Sequence, residues 1–315
     1  MSEKETSGSE GATVQRPAFR STEVFLTGLQ FGEGPRWHDG RLWFSDFYDR
    51  AVFAVSGDGR LERVVEVPKQ PSGMGWLPDG RLLIVSMLDR RVLRREPDGS
   101  LATHADLSNL TAFHCNDMVV DRTGRAYVGN FGFDLRAYRD AVLDGRPEDG
   151  PKPTPTALIR VDPDGSAAIA ARELHFPNGA VITPDGGTLI VGETFANRLT
   201  AFDIASDGSL SNRRAWADLH SIGVRPDGIC LDAAGAIWVS TPSAPEVVRV
   251  AEGGEVLERI TTTQPTFACM LGGDDRKTLY VMTALDSGHS SRSRPQDRRG
   301  AIETARVDVA GAGLP

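Results

Sequence analysis

The chain has 315 residues, of which 40% are hydrophobic and 25% are charged, an ordinary globular composition with enough apolar residues for a sizeable core. Its formal net charge is −8, and no Lys/Arg cluster lies outside the tail region, which argues against nucleic acid and anionic membrane surfaces as partners, since both require a basic face. We therefore expect a small-molecule partner, while the oligomeric state stays open.

The first segment in chain order is polar. Residues 1–20 are rich in Ser, Glu and Gly and lack the apolar stretch of a signal peptide, which predicts a disordered tail before a single domain at 21–315. No later apolar run reaches the roughly 18 residues that a membrane helix needs, so we predict a cytoplasmic protein. Cys115, Cys230 and Cys269 are few and widely spaced, which predicts reduced core thiols.

A repeated unit starts at Glu33 and occurs six times. Each copy has a leading polar residue, an apolar strand, a turn with Gly or Asp, and a second apolar strand. The leading residues lie 39, 44, 62, 49 and 39 residues apart and are Glu33, Ser72, Asn116, Asn178, Asp227 and Thr266. Most copies continue into two further strands, as at 91–102 and 157–168. The pattern predicts an all-β protein, a six-bladed β-propeller with four-stranded antiparallel blades around a central channel.

The turns of these copies share one register. In four copies a turn glycine lies eight residues after the leading residue, at Gly80, Gly124, Gly186 and Gly235. Glycine supplies the positive φ that tight hairpins require, and β-branched and aromatic residues flank it. The repeated units are therefore predicted to be hairpins rather than helices.

The longest interval between copies contains an insertion at about 134–156. Leu135, Tyr138 and Val142 have helical spacing and precede a Pro-rich return. The insertion is either a lid over the channel mouth or a solvated surface segment.

The two ends of the repeated region also have a predicted arrangement. Segments 23–27 and 301–309 are strand-like and are expected to pair in one blade, which would close the ring. Trp37, Trp76 and Trp238 lie within the repeated strands and are expected to pack between blades.

The leading residues all carry a side-chain oxygen. Because the first strand of each propeller blade lines the channel, these side chains are expected to point at one axis. Two carboxylates and two amides that converge there are costly unless a cation satisfies them. Glu33, Asn116, Asn178 and Asp227 are therefore predicted to bind one divalent metal ion, calcium first, with magnesium, manganese, zinc or ferrous iron as alternatives. The other interpretation is that each residue bonds to neighbouring backbone.

Four segments together resemble a known family. In order they are GEGPRW at 32–37, CNDMVVDRTG at 115–124, FPNG at 176–179 and RPDGICLD at 225–232. As an ordered set they resemble the signature segments of the senescence marker protein (regucalcin) and gluconolactonase family, from about Val24 to the C-terminus. The resemblance implies a six-bladed propeller with one divalent ion in its channel, and lactonase activity in many members.

The resemblance also implies roles for single residues. Glu33, Asn178 and Asp227 match metal ligands, Asn116 matches a residue that contacts the metal or the substrate, and Asp117 matches a substrate contact.

The chain departs from some family members near this motif. It has His114 two residues before Asn116, where an Arg contacts substrate, and Met118 where Gly is common. His114 is either a packed strand-end histidine or a substrate contact. Phe131 and Phe133 follow the third copy and are candidates for an apolar wall of the substrate pocket.

These observations predict a divalent-metal-dependent hydrolase, a lactonase that opens a sugar or other small lactone. The metal would polarise the carbonyl while Asp227 activates water; alternatively a metal-bound water is the nucleophile and Asp227 positions it. Ser72 has no His and acid pair implied beside it, which argues against a serine-hydrolase triad. The alternatives are a phosphotriesterase of the diisopropyl fluorophosphatase type and a non-catalytic metal-stabilised scaffold.

Overall fold

Twenty-five β-strands form six sheets in the computed structural model, which describes residues 20–314. The predicted tail, residues 1–20, lies outside the described residues except for Arg20, which begins a short strand. Five of the sheets are four-stranded antiparallel blades, and the sixth is such a blade with one additional short parallel strand. The predicted six-bladed propeller is confirmed. Strands are numbered in chain order below.

The six innermost strands line the central channel. They are β3 (Gly32–His38), β7 (Pro71–Trp76), β11 (Cys115–Val120), β15 (Pro177–Ile182), β19 (Ile229–Leu231) and β23 (Thr266–Gly272). Each pairs with a second strand, namely β4 (Arg41–Asp46), β8 (Leu82–Ser86), β12 (Ala126–Asn130), β16 (Thr188–Glu193), β20 (Ile237–Ser240) or β24 (Thr278–Thr283).

Two further strands complete each blade on its outer side. The third strands are β5 (Ala51–Ser56), β9 (Arg91–Arg95), β13 (Thr156–Val161), β17 (Arg198–Ile204), β21 (Glu246–Val250) and β25 (Gly300–Arg306). The outermost strands are β6 (Leu61–Glu66), β10 (Leu101–Asp106), β14 (Ala167–Leu174), β18 (Leu210–Asp218), β22 (Val256–Thr261) and, in the last blade, β2 (Glu23–Leu29).

The last blade joins the two ends of the described chain. Strand β2 pairs antiparallel with β25, with Glu23 opposite Thr304 and Leu29 opposite Gly300, so the predicted pairing is confirmed. A short strand β1 (Arg20–Ser21) adds in parallel to the outer edge of β22. Both ends of the described chain thus pair with strands of the propeller, which leaves fewer unpaired strand edges.

Aromatic contacts join neighbouring blades, as the sequence predicts. Trp37 of the first blade stacks on Tyr280 of the last, with ring centroids 5.7 Å apart. Trp76 of the second blade meets Trp43 of the first edge to face at 5.5 Å. Trp238 is buried in the core between the fifth and sixth blades.

The three cysteines are free and buried, as predicted. The structure adds that the sulfur atoms of Cys230 and Cys269 lie 3.7 Å apart, although the residues come from different blades. This proximity arises from the packing of β19 against β23 and could not be foreseen from their spacing.

The predicted helix of the insertion is present as α1 (Leu135–Leu143). Asp134 caps its N-terminus and accepts a hydrogen bond from the Ala137 N–H at 3.0 Å. Short 3₁₀ turns follow at Pro147–Asp149 and, near the end of the chain, at Pro295–Asp297. No helix within residues 20–314 has the length and apolar character needed to cross a membrane.

Candidate functional site

Five of the six leading residues lie at one end of the innermost strands, where a β-bulge interrupts the pairing, and Asp227 lies two residues before β19. The register of β3 with β4 shifts between Glu33 and Arg36, and that of β11 with β12 shifts between Cys115 and Met118. Strands β7, β15 and β23 show the same shift near their first residues. A bulge re-aims a side chain out of the regular pleat, which lets a residue of an innermost strand face the channel mouth.

Glycines let the innermost strands approach one another closely. A Cβ atom at Gly73 would lie 2.1 Å from the Met118 N atom, and one at Gly179 would lie 2.6 Å from the Asp227 carbonyl oxygen. Asp117 takes the position after the leading residue that glycine occupies in four other blades, so this blade places an extra carboxylate beside the axis.

Four leading side chains form a hydrogen-bonded arc. The Ser72 Oγ donates to the Asn116 Oδ1 at 3.3 Å, and the Asn116 Nδ2 donates to the Asn178 Oδ1 at 2.9 Å. The Asn178 Nδ2 then donates to the Asp227 Oδ1 and, at 3.1 Å, to the Thr194 Oγ1. The arc orients the side-chain amides of Asn116 and Asn178. The Oδ1 atom of each accepts one hydrogen bond and keeps a second lone pair for another partner.

Thr266 behaves differently from the other leading residues. Its Oγ1 donates to the Glu246 carbonyl oxygen at 2.7 Å and accepts from the Thr241 N–H at 2.8 Å. Thr266 therefore connects neighbouring backbone segments, the alternative role that the sequence allows for each leading residue. Ser72 donates to Asn116 and has no histidine partner among the described residues.

Three carboxyl groups lie within electrostatic range of one another near the axis. Burial raises the pKa of Glu33 well above its usual range, and the charges of Asp117 and Asp227 add to the rise. The pKa of Asp227 is raised well above its usual range by burial and by Asp117, against the opposing effects of Arg139 and the Asn178 hydrogen bond. Burial also raises the pKa of Asp117.

Two other buried carboxylates, those of Glu193 and Asp232, form ion pairs with arginines, and the three near the axis form none among the described residues. Glu193 contacts Arg198 at 2.9 Å, and Asp232 contacts Arg249 at 2.6 Å. Within residues 20–314, no ion pair engages the three carboxyl groups near the axis, and the Asp117 Oδ1 has no hydrogen-bond partner. A buried, unpaired carboxylate cluster favours a cation.

Arg36 is a buried arginine next to this cluster. Its Nε, Nη1 and Nη2 donate to the carbonyl oxygens of Met74, Pro35 and Met118 at 3.0, 2.7 and 2.6 Å. The guanidinium is thus held by backbone, and its charge opposes the pKa rise of Asp117.

The donor set suits a hard divalent cation. No group of three or more His, Cys, Asp and Glu side chains in the described part of the chain is arranged to hold a metal ion. A cation here would therefore need the amide oxygens of Asn116 and Asn178 beside the carboxylates of Glu33 and Asp227, an all-oxygen set. The carboxylates of Glu33 and Asp227 form no ion pair among the described residues, so both are available as ligands.

A cavity of about 530 Å³ opens above the arc. Glu33, Asn116, Asn178 and Asp227 all contribute to its surface, so the structure brings the four predicted ligands to one site. Phe131 also lines the cavity, where its ring stacks on that of Phe176 with centroids 4.7 Å apart.

The other residues predicted to contact substrate lie behind the cavity surface. Asp117 is buried beside Asn116 and outside the lining. His114 packs against Phe131 with ring centroids 5.9 Å apart, and burial lowers its pKa. Phe133 is buried behind Phe195. A substrate contact by these three residues stays a prediction.

The insertion helix forms one wall of the cavity. Leu135, Tyr138, Arg139, Val142 and Leu143 all face the cavity from α1. The helix therefore lies at the channel mouth, the place proposed for a lid.

A second segment, residues 284–299 between β24 and β25, completes this wall, and sequence reasoning missed it. The Ser291 N–H donates to the Asp140 Oδ1 at 2.7 Å, and the Arg292 Nη1 donates to the Leu143 carbonyl oxygen at 3.0 Å. Its His289 lines the cavity, and burial with nearby Arg139 lowers the pKa of the imidazole to about 3. The available sequence signal for this segment was the length of the polar interval between the last two predicted strands.

Comparison with known proteins places the chain among related sequences. The family model described as SMP-30/Gluconolactonase/LRE-like region matches residues 31–285. The pentonolactonase of Haloferax volcanii is 29% identical over 303 residues, covering 93% of this chain and 96% of that protein. Regucalcin of Danio rerio is 25% identical over 268 residues, covering 81% and 83%.

A solved structure shows the same fold. The calcium-binding protein regucalcin from Agrobacterium tumefaciens matches with a TM-score of 0.76 and 22% sequence identity, covering 94% of this chain and 97% of that one.

Proposed function

The chain belongs to the SMP-30/gluconolactonase/LRE-like family, as its four signature segments predicted, and on that premise we propose that it is a divalent-metal-dependent lactonase. The reaction would add water to a lactone carbonyl and break the ring C–O bond. The product is a hydroxy acid, which ionises and releases one proton.

One observation carries this proposal. The carboxylates of Glu33 and Asp227 and the amide oxygens of Asn116 and Asn178 meet at the floor of an aromatic-walled cavity. A scaffold that binds partners through its rim has no need of unpaired carboxylates at the end of a pocket large enough for a small substrate. The names of the relatives, which include a pentonolactonase, support the same reaction class.

The four floor residues would hold the metal ion, and calcium suits their all-oxygen character. When bound, a divalent cation supplies Lewis-acid polarisation of the substrate carbonyl, a contribution of several kcal/mol. The structurally similar regucalcin of Agrobacterium tumefaciens is a calcium-binding protein, which supports this choice of ion.

Asp227 is the proposed general base. Its Oδ1 accepts from Asn178, which leaves Oδ2 without a hydrogen-bond donor among the described residues and free to take a proton from the attacking water. Asn178 orients the carboxylate through that hydrogen bond. Asp117, buried behind Asn116, acts on the site through its charge, since it raises the pKa of both Glu33 and Asp227.

The test combines metal analysis with a substrate screen. Protein purified without chelator is analysed for bound metal and then assayed with diverse lactones in a pH-indicator format, beside organophosphate triesters. We expect about one divalent ion per chain and lactone hydrolysis that chelator removes and the cation restores. Glu33→Gln should lose both metal and activity, whereas Glu62→Gln, at an exposed position, should keep them.

Two outcomes would reject the proposal. A folded, metal-loaded protein that hydrolyses triesters but no lactone would have the alternative chemistry. A protein that hydrolyses neither and unfolds on metal removal would use the ion for stability alone.

A further inference from the structure

The upper wall of the cavity is aromatic. Six rings contribute to it, from Phe31, Phe47, Phe131, Tyr138, Phe176 and Phe195. They pack on one another, with centroids 5.1 Å apart for the Phe31 and Phe47 pair and 5.4 Å apart for Phe176 and Phe195. Apart from the Tyr138 hydroxyl, these rings offer no hydrogen-bonding group, so a polyhydroxylated ligand placed against them would lose hydrogen bonds with water, whereas a flat apolar group would be stabilised there.

The same cavity contains two arginines without a carboxylate partner. The Arg139 Nη1 donates to the Ser287 Oγ at 2.6 Å, and the guanidinium forms no ion pair within residues 20–314. The guanidinium of Arg225 lies 5.5 Å from the centroid of the Phe195 ring, with no side-chain hydrogen bond in the described part of the chain. Arg292, in contrast, is paired with Asp144 at 2.5 Å.

These two arginines are notable in an acidic protein. With a net charge of −8, the chain has carboxylates in excess, yet none approaches either guanidinium within ion-pair distance among the described residues. The cavity does hold other charges: Glu33 and Asp227 at its floor and the exposed Asp286 at its rim. The floor carboxylates are the proposed ligands of a cation, which leaves the arginines available to an anion.

We propose that the substrate is a lactone that carries an apolar, aryl-sized body and a carboxylate substituent, and that Arg139 and Arg225 recognise the carboxylate. This inference rests on the proposed lactonase function. Arginine suits the role because its guanidinium can donate two parallel hydrogen bonds to a carboxylate. The aromatic wall binds the body of the substrate, and a neutral polyhydroxylated lactone satisfies neither feature.

The test compares matched substrates. A γ-phenyl-γ-butyrolactone with a para-carboxylate is assayed against the para-carboxamide of the same shape, the unsubstituted phenyl lactone and D-glucono-δ-lactone. We expect kcat/KM for the carboxylate to exceed that for the carboxamide by at least about tenfold. The difference should lie mainly in KM, because the carboxylate gains charge-assisted hydrogen bonds when it binds.

Variants connect that preference with the two arginines. Arg139→Gln and Arg225→Gln should each reduce the carboxylate-to-carboxamide ratio of kcat/KM by about tenfold. The ratio is taken within each variant, so that any change in the shared chemistry at Asp227 cancels. Arg139→Lys should keep part of the preference. Ser287→Ala removes the hydrogen bond that anchors Arg139 but keeps the charge, so it should retain the preference. Arg146→Gln, which removes an exposed charge from the same insertion, is the matched control.

A binding measurement separates this inference from the proposed function. Calorimetry with 4-ethylbenzoate and 4-ethylbenzamide tests recognition without turnover. Benzoate binding that depends on Arg139 and Arg225 supports the anion site even if no lactone is hydrolysed. Hydrolysis of lactones with equal rates for carboxylate and carboxamide, unchanged in both arginine variants, overturns the inference and leaves the lactonase in place.

Discussion

Asn178 and Asp227 are joined side chain to side chain across the boundary between the fourth and fifth blades, where the Asn178 Nδ2 donates to the Asp227 Oδ1. The same amide accepts from Asn116 through its Oδ1 at 2.9 Å. Asn178 thus sets the orientation of two proposed ligands from neighbouring blades, in addition to its own.

Asn178→Ala should therefore weaken divalent cation binding by at least about tenfold, because it removes one ligand and releases two others. Calorimetric titration with Ca²⁺ measures the change. Ser72→Ala is the matched control, since Ser72 lies at the far end of the arc and its Oγ has a single hydrogen-bond partner among the described residues, the Asn116 Oδ1 at 3.3 Å. Equal effects of the two substitutions would contradict the proposed central position of Asn178.

Asp227→Asn should lower kcat by about 10²- to 10⁴-fold, the usual range for the loss of a general base. The variant keeps the shape of the side chain, so the fold should be unchanged. Metal content must be measured on the same preparation, because the residue is also a proposed ligand. Unchanged turnover with the metal still bound would reject the catalytic assignment.

The pH dependence of stability should reveal the buried carboxyl cluster. The pKa of Glu33 is raised in the folded state above its ordinary value of 4.5, so the folded protein binds more protons than the unfolded chain above that pH. The free energy of unfolding of chelator-treated protein should therefore decrease as pH rises from about 4.5 through the raised pKa.

Thermal melts across this pH range measure the effect. Glu33→Gln should flatten the decrease, because it removes one of the charges, and added Ca²⁺ should stabilise the wild type increasingly as pH rises. A chelated wild type that melts with the same pH profile as Glu33→Gln would contradict the assignment.

Arg36→Met should destabilise the protein by at least about 3 kcal/mol, because each buried carbonyl oxygen that loses its donor costs about 1 to 3 kcal/mol. The substitution leaves the carbonyl oxygens of Met74, Pro35 and Met118 without their donors. Urea unfolding measures the loss. Arg60→Met, at an exposed position, should change stability by less than about 0.5 kcal/mol. A loss at Arg36 as small as that at Arg60 would show that the buried guanidinium is dispensable.

Asp140→Ala should loosen the wall formed by α1 and residues 284–299, since the Asp140 carboxylate accepts from both the N–H and the Oγ of Ser291. Hydrogen exchange of the amides in 284–299 should become faster, and KM should rise more than kcat falls. Glu148→Ala, on the exposed return of the insertion, is the control. Unchanged exchange in the first variant would show that other contacts hold the segment.

The predictable part of this protein follows from its repeats. The shared spacing of the leading residues predicted six blades, and the strand-like segments 23–27 and 301–309 predicted the ring closure by β2 and β25. The place of Trp37 and Trp76 within the repeated strands predicted their packing between blades. The blades and the tryptophan packing follow from short-range pattern, because each blade is one locally encoded unit and equivalent positions must face the same axis.

The composition of the site was only partly predictable. Glu33, Asn116, Asn178 and Asp227 were found by register, but Thr266 in the same register bonds to backbone instead. Arg139 and His289 entered the cavity from two segments outside the repeat, and no periodicity relates such segments to the channel.

The sequence by itself therefore determined the architecture and the residues that the innermost strands direct toward the axis. Only the tertiary structure decided which of those side chains share hydrogen bonds, which charged groups remain unpaired, and what covers the channel mouth. The physical reason is that strand register is specified within about forty residues, whereas the contacts of α1 with residues 284–299 join parts of the chain some 150 residues apart. Such contacts depend on the closed ring that brings the third blade and the last blade to the same end of the channel.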